Sequence, residues 1–214
     1  MKTDTTEKGL ESLIVAAMTG KPGASAGGTT SGVAEPSALY GGIGWILGDW
    51  HDYDREFAVD LVQLTAFLKA TQPDLVEALD LTSVSPVRQK FLARLQGEIT
   101  KRGVIDLLRH GLKHGPLHLD LFYGTPSAGN AKATERFAAN RFSVTRQLRY
   151  SRDETQLALD LCLLINGLPV FTFELKNSLT KQTVEDAVEQ YRRDRDPREL
   201  LFPVWPLRRT FCRG

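Results

Sequence analysis

The sequence lacks most of what marks a secreted, membrane-embedded or polycationic protein. Only two of its 214 residues are cysteine, too few for a disulfide framework. Cys162 sits in an apolar run and Cys212 near the end, so both are expected to be reduced thiols in a cytoplasmic protein. The longest apolar run, Leu157–Ile165, is interrupted by Asp160 and falls far short of the about 20 residues that span a bilayer. Met1 to Lys8 is mixed in charge and opens no signal-peptide pattern. An excess of either charge sign is missing too: 27 Lys and Arg meet 26 Asp and Glu, which excludes a polybasic protein. The glycine-rich patch Gly41–Gly48 is not followed by Lys-Ser/Thr, so no Walker A phosphate loop and no ATP site is expected. No Ser-His-Asp or Cys-His arrangement can be built, because Cys162 is in the core run and no histidine lies near a nucleophile elbow.

The near-neutral total hides an asymmetry. Residues 1–100 carry 8 basic and 13 acidic side chains, and residues 101–214 carry 19 and 13. An anionic partner, nucleic acid first, therefore belongs to the second half.

Hydrophobic spacing changes character along the chain. Leu10, Leu13, Ile14 and Ala17 predict a helix over 7–19, and residues 20–32, made largely of Gly, Ala, Ser and Thr, predict a flexible loop. Phe57, Leu61, Leu64 and Leu68 predict a second helix. Thr71 and Pro73 look like the cap and first turn of another, and Ser85-Pro86 opens a longer one carrying Phe91, Leu95 and Ile99. Val104, Leu107 and Leu108 continue helical spacing to about His110. From Leu117 the period becomes that of strands: Leu117–Tyr123, Phe142–Tyr150, the near-continuous run Leu157–Ile165, and Val170–Lys176 after an Asn166-Gly167 turn. Thr183 then caps a last helix that stops before Pro197. The fold class is thus α/β: a twisted mixed sheet from about Leu117 to Lys176 flanked by the first and last helices, with a helical insertion at about 55–110.

Three residues in the strand region carry the chemistry. Asp160 lies inside a buried-looking strand, and Glu174 and Lys176 lie in the next with one residue between them. An unpaired ionised carboxylate costs several kcal/mol to bury, so these residues need partners or a function. Alternation puts Leu157, Leu159, Leu161, Leu163 and Ile165 on one face, with Phe171, Phe173 and Leu175 in the next strand. For both apolar faces to reach one core, paired residue numbers must sum to an even value. A plain two-residue Asn166-Gly167 turn sums to an odd one, whereas a bulge or three-residue loop gives an even one and sets Asp160 across from Glu174. Two carboxylates beside an ammonium make a hard-oxygen site for Mg²⁺ or Mn²⁺, able to polarise a phosphodiester. The same spacing also describes a structural salt bridge to Lys176, and the pattern alone leaves both open.

Asp160, then Asn166-Gly167-Leu168-Pro169, then Glu174-Leu175-Lys176-Asn177 resembles the PD-(D/E)xK nuclease core of type I restriction enzyme R subunits. Asn140-Arg141-Phe142, Arg146-Gln147-Leu148, Thr71-Gln72-Pro73 and the run Arg192–Pro197 before Leu201-Phe202 fit the same family, so the resemblance covers roughly residues 5–202, taken as one nuclease domain. It implies a restriction-endonuclease-like core that hydrolyses double-stranded DNA with Mg²⁺ (or Mn²⁺). It further implies Asp160, Glu174 and Lys176 as catalytic, Glu11 as an added metal-directed carboxylate, and Gln190, Arg192 and Arg193 toward DNA. The family often has Tyr four residues after that Gln, where this chain has Asp194, with its tyrosine at Tyr191. Arg192 and Arg193 read equally well as favourable charges at a helix C-terminus.

The resemblance also implies methyltransferase and specificity subunits as partners and, in full-length members, ATP-driven motor domains. Residues 203–214 diverge from the family, so the chain is expected to be a truncation unable to translocate. The competing class is a non-catalytic remnant that only binds DNA or docks to its partners. An unrelated metal-free protein would require Asp160 and Glu174 to face apart. His110, His114 and His118, spaced by four, read as loop or surface histidines because Gly111, Gly115 and Pro116 break the helix between them. Trp45 and Trp50 read as packing residues rather than base-stacking ones.

Overall fold

The computed structural model of the chain describes residues 7–20, 44–153, 157–175 and 199–201. The expected loop at 21–32, Lys176, the helix from Thr183 with Gln190, Arg192 and Arg193, and the tail at 203–214 lie outside the described residues. In chain order the elements are α1 (Glu7–Thr19), β1 (Ile46–Gly48), a 3-10 turn (Trp50–Asp52), β2 (Tyr53–Asp54), β3 (Val59–Asp60), α2 (Leu61–Thr71) and α3 (Pro73–Ala78). There follow α4 (Pro86–Arg102), α5 (Val104–His110), β4 (Leu112–His114), β5 (Leu117–Leu119), α6 (Ala131–Ala138), β6 (Phe142–Arg149), β7 (Ala158–Ile165) and β8 (Leu168–Phe173).

The main sheet has four strands in the order β1-β6-β7-β8, with β1 parallel to β6 and the other neighbours antiparallel. It is a mixed sheet flanked by helices, as the spacing predicts. Its membership differs at one end. Leu117–Leu119 pairs only with Leu112–His114 in a separate hairpin, and the sheet gains β1 instead. Three residues ending in a glycine leave too little alternation for sequence spacing to reveal a strand. Gly48 is needed there: a Cβ would stand 2.4 Å from the Thr145 hydroxyl on β6.

The helical part follows its caps. Ser85 accepts from Arg88 N at 3.2 Å and Pro86 occupies the first turn of α4, which buries Phe91, Leu92, Leu95 and Ile99. Two expected boundaries move. The helix expected from Phe57 begins at Leu61, because Asp60 caps it, accepting from Gln63 N at 2.9 Å. Thr71 is the last residue of α2, not the cap of α3; Gln72 stands at that cap without a side-chain bond. The Gln72 side chain instead clasps Asp120, donating to its carbonyl at 2.8 Å and accepting from its N–H at 3.0 Å.

Helix α1 spans the residues expected but shows a different face to the core. Glu11, Val15 and Thr19 are buried at i, i+4 and i+8, while Leu13 is more than half exposed. The burial of Glu11 agrees with its apolar helical neighbours Ile14 and Val15, which imply a part-buried carboxylate in need of a partner. One large cluster joins Val15 and the helices α2, α4 and α5 to Val144, Leu161, Leu163 and Leu168 of the sheet. A second, smaller one holds Tyr53, Leu148, Tyr150, Leu159, Cys162, Leu164 and Leu201. Burial pushes the Cys162 thiol well up, so it stays protonated and inert.

Candidate functional site

The geometry of the site starts at the hairpin joining β7 and β8. Asn166 and Gly167 both have positive φ, 51° and 82°, as a two-residue turn that matches strand twist requires. Gly167 is obligatory, since a Cβ would stand 2.3 Å from the Asp60 carbonyl. Asn166 is fully buried and is the hub of the hairpin. Its Nδ2 donates to the Leu121 carbonyl at 2.8 Å and to Asn140 Oδ1 at 3.1 Å, and its Oδ1 accepts from Arg141 N at 2.7 Å.

From that turn the strands start in the odd register, Ile165 opposite Leu168 and Leu164 opposite Pro169. A bulge between Leu163 and Leu164 then moves the pairing by one residue, to Leu163–Phe171, Cys162–Thr172 and Leu161–Phe173. The even register that core packing demands is thus reached inside the strand rather than in the turn. Continued by one pair, it sets the backbone of Asp160 across from Glu174. The Asp160 carboxylate reaches that strand, its Oδ2 accepting from Leu175 N at 2.6 Å. Glu174 is buried.

The other side of Asp160 faces β6. In the β6–β7 register Arg146 pairs with Leu161 and Leu148 with Leu159, which puts Gln147 level with Asp160. Gln147 has a φ of 46°, rare for a residue with a side chain. Its Nε2 donates to Glu11 Oε2 at 3.0 Å and makes a longer contact with Asp160 Oδ1 at 3.4 Å. Arg146 Nε donates to the other oxygen of Glu11, and Arg146 Nη2 to Ser12 Oγ at 3.3 Å. Glu11, only 3% exposed, therefore has both carboxylate oxygens occupied, one in an ion pair.

One expectation about faces fails at this level. Leu161 and Leu163 pack in the large cluster, but Leu159 packs with Cys162 and Leu164 in the small one, as does its partner Leu148. The single alternation expected from Leu157 to Ile165 is broken at Asp160, where its neighbour Gln147 takes the left-handed conformation. Gln147 and Arg146 are the residues that reading the catalytic spacing did not single out for the site. Their signal was weak: a polar pair in a strand that otherwise alternates.

The donor chemistry suits a hard divalent cation, since Asp160 and Glu174 offer carboxylate oxygens and Asp160 Oδ1 holds only a long contact. Among the described residues no three His, Cys, Asp or Glu side chains gather at metal-binding spacing. His114 packs its ring edge against Phe91, and His110 caps its own helix through Asp106 at 3.0 Å, as surface histidines do. Trp45 packs edge-on to Phe142, whereas Trp50 is covered by the Arg149 guanidinium at 4.5 Å.

A mixed α/β chain with this four-stranded sheet, flanked by helices, is consistent with a restriction-endonuclease-like fold. Residues 126–205 match the family model of the type I restriction enzyme R protein N terminus. No curated protein and no solved structure matches the chain. The matched stretch contains β6, β7 and β8, and so holds Gln147, Asp160 and Glu174. Among the described residues no helix is long and apolar enough to cross a membrane.

Proposed function

We propose that the chain carries the nuclease centre of a type I restriction R subunit and cleaves phosphodiester bonds of double-stranded DNA with Mg²⁺ or Mn²⁺. The observation that carries this reading is the bulge at Leu163/Leu164, which gives β7 and β8 the even register whose next pair would be Asp160 and Glu174, inside the segment that matches the R-protein family. A regular hairpin would have placed them out of step.

In this reading Asp160 and Glu174 hold the metal, as in the PD-(D/E)xK pattern the sequence resembles. A divalent ion there would lower the pKa of a bound water and neutralise charge on the phosphate. Asp160 is held by Leu175 N through one oxygen, and its other oxygen has only the long contact with Gln147. Lys176, the next residue but one after Glu174, orients the attacking water. Glu11 contributes its negative charge from behind, through Gln147. Gln190, Arg192 and Arg193 meet the DNA, consistent with the excess of basic side chains in the second half of the chain. Partner methyltransferase and specificity subunits would supply sequence recognition, and ATP would serve the motor domains of full-length family members.

Calorimetric titration of Mn²⁺ and Mg²⁺ into the wild type, Asp160→Ala and Glu174→Ala tests the reading, with plasmid nicking assayed in the same buffers. Binding lost in both variants, and nicking lost in Lys176→Ala, is the expected result. Binding without nicking leaves a metal site that needs its partners, the docking alternative. A folded wild type that binds no divalent ion overturns the nuclease reading.

A further inference from the structure

We infer that Gln147 is a positioning residue that ties Glu11 to Asp160 and sets the distance between the two carboxylates. The strand conformation is the first argument. Successive side chains of a regular strand point to opposite faces, so neighbours in sequence do not meet the same group. Yet Arg146 and Gln147 grip the two oxygens of one carboxylate, that of Glu11. The left-handed φ of 46° at Gln147 is what turns the second side chain to the same side. The pairing resumes in unchanged register at Leu148–Leu159, so the kink adds no residue to the strand. Beyond it Leu148 and Leu159 pack in the small cluster, while Val144, Leu161 and Leu163 before it pack in the large one.

The hydrogen-bond inventory of the amide is the second argument. A carboxamide nitrogen carries two protons and no charge. Gln147 Nε2 directs one toward Glu11 Oε2 and the other toward Asp160 Oδ1. A neutral double donor is what keeps two carboxylates near each other without neutralising either, whereas a Lys or Arg at 147 would pair with Asp160 and compete with a cation. Arg146 pairs with the other oxygen of Glu11. Strain of this kind persists only where the surroundings over-determine it, and it collects at functional sites. The purpose assigned to the bridge rests on the nuclease reading; its geometry does not.

Gln147→Gly separates positioning from backbone strain, because glycine adopts positive φ freely while the side chain that bridges the carboxylates is removed. The variant is expected to stay folded while binding Mn²⁺ on the order of tenfold more weakly by calorimetry, as losses behind a metal ligand typically do. Independently of any metal, both side-chain amide protons of Gln147 in the wild-type chain are expected to exchange slowly by NMR. One is expected to shift in Glu11→Gln and the other in Asp160→Asn. A Gly variant that is folded and binds Mn²⁺ like wild type overturns the positioning role, as do freely exchanging amide protons. Absence of Mn²⁺ binding in wild type sinks the nuclease reading instead, and the amide exchange then decides the bridge alone.

Discussion

The carboxylate of Asp160 accepts a hydrogen bond from the backbone N–H of Leu175 at 2.6 Å, crossing from one strand to the residue that follows Glu174. A candidate metal ligand thereby also tethers the chain leaving β8. Asp160→Ala removes this charge-assisted bond and is expected to cost about 1–3 kcal/mol of stability. Asp160→Asn retains an acceptor and should cost less, while losing divalent-ion binding equally. Urea unfolding of both variants beside their Mn²⁺ titrations checks the separation.

Glu11 and Arg146 form a buried ion pair between α1 and the central strand, with Arg146 itself 17% exposed at the side chain. Removing one partner leaves the other charge uncompensated, so Glu11→Ala is expected to destabilise by about 3–5 kcal/mol. Glu11→Ala combined with Arg146→Met is expected to recover much of that loss. Chemical denaturation of the single and double variants measures the coupling.

Asp60 caps α2 while almost wholly buried, and its Oδ2 has no hydrogen-bond partner. Burial, with a smaller push from Asp52, raises its carboxyl to about 6, although the Gln63 and Val62 N–H groups and Arg141 favour the charge. Because the folded-state value lies above the unfolded one, the protonated group stabilises the fold fully below about pH 4. That contribution, on the order of 3 kcal/mol, is lost as pH rises through 6. Asp60→Asn keeps the cap through its side-chain oxygen. The variant is expected to be the more stable protein at pH 7.5 and to lose this slope between pH 4 and 6, as thermal unfolding across that range would report.

Asn166 fills three hydrogen bonds at zero exposure, to Leu121, Asn140 and Arg141. Asn166→Ala strands those partners and puts Ala at a positive φ, for an expected loss of about 3–5 kcal/mol. Asn166→Asp preserves the shape but turns a buried carboxylate toward the Leu121 carbonyl and Asn140 Oδ1, and is expected to cost at least as much. Equilibrium unfolding ranks the three proteins, and an Ala variant as stable as wild type contradicts the hub.

Much of this was legible before any coordinates. Helix spacing located α1, α4 and α5 because their apolar stripes and caps are local properties of the chain. The even register of β7 and β8 followed from a packing argument, since two odd-numbered apolar sets had to reach one core, and the bulge supplied it. The strand β1 was not legible, because three residues pair with β6 through backbone atoms that leave no pattern in side chains. Nor was the partner of Glu11 on α1: Arg146, 135 residues away, compensates the charge.

By itself the sequence determined helices α1, α4 and α5, the strands β6 to β8, where the hairpin turns, and the even register of β7 and β8. Those are consequences of local propensity, of turn chemistry and of the need to hide apolar side chains. Tertiary structure alone decided what the acidic groups touch. Whether a carboxylate meets an arginine, an amide or a backbone N–H depends on contacts between distant elements. At Gln147 it depends on one left-handed residue that alternation cannot anticipate.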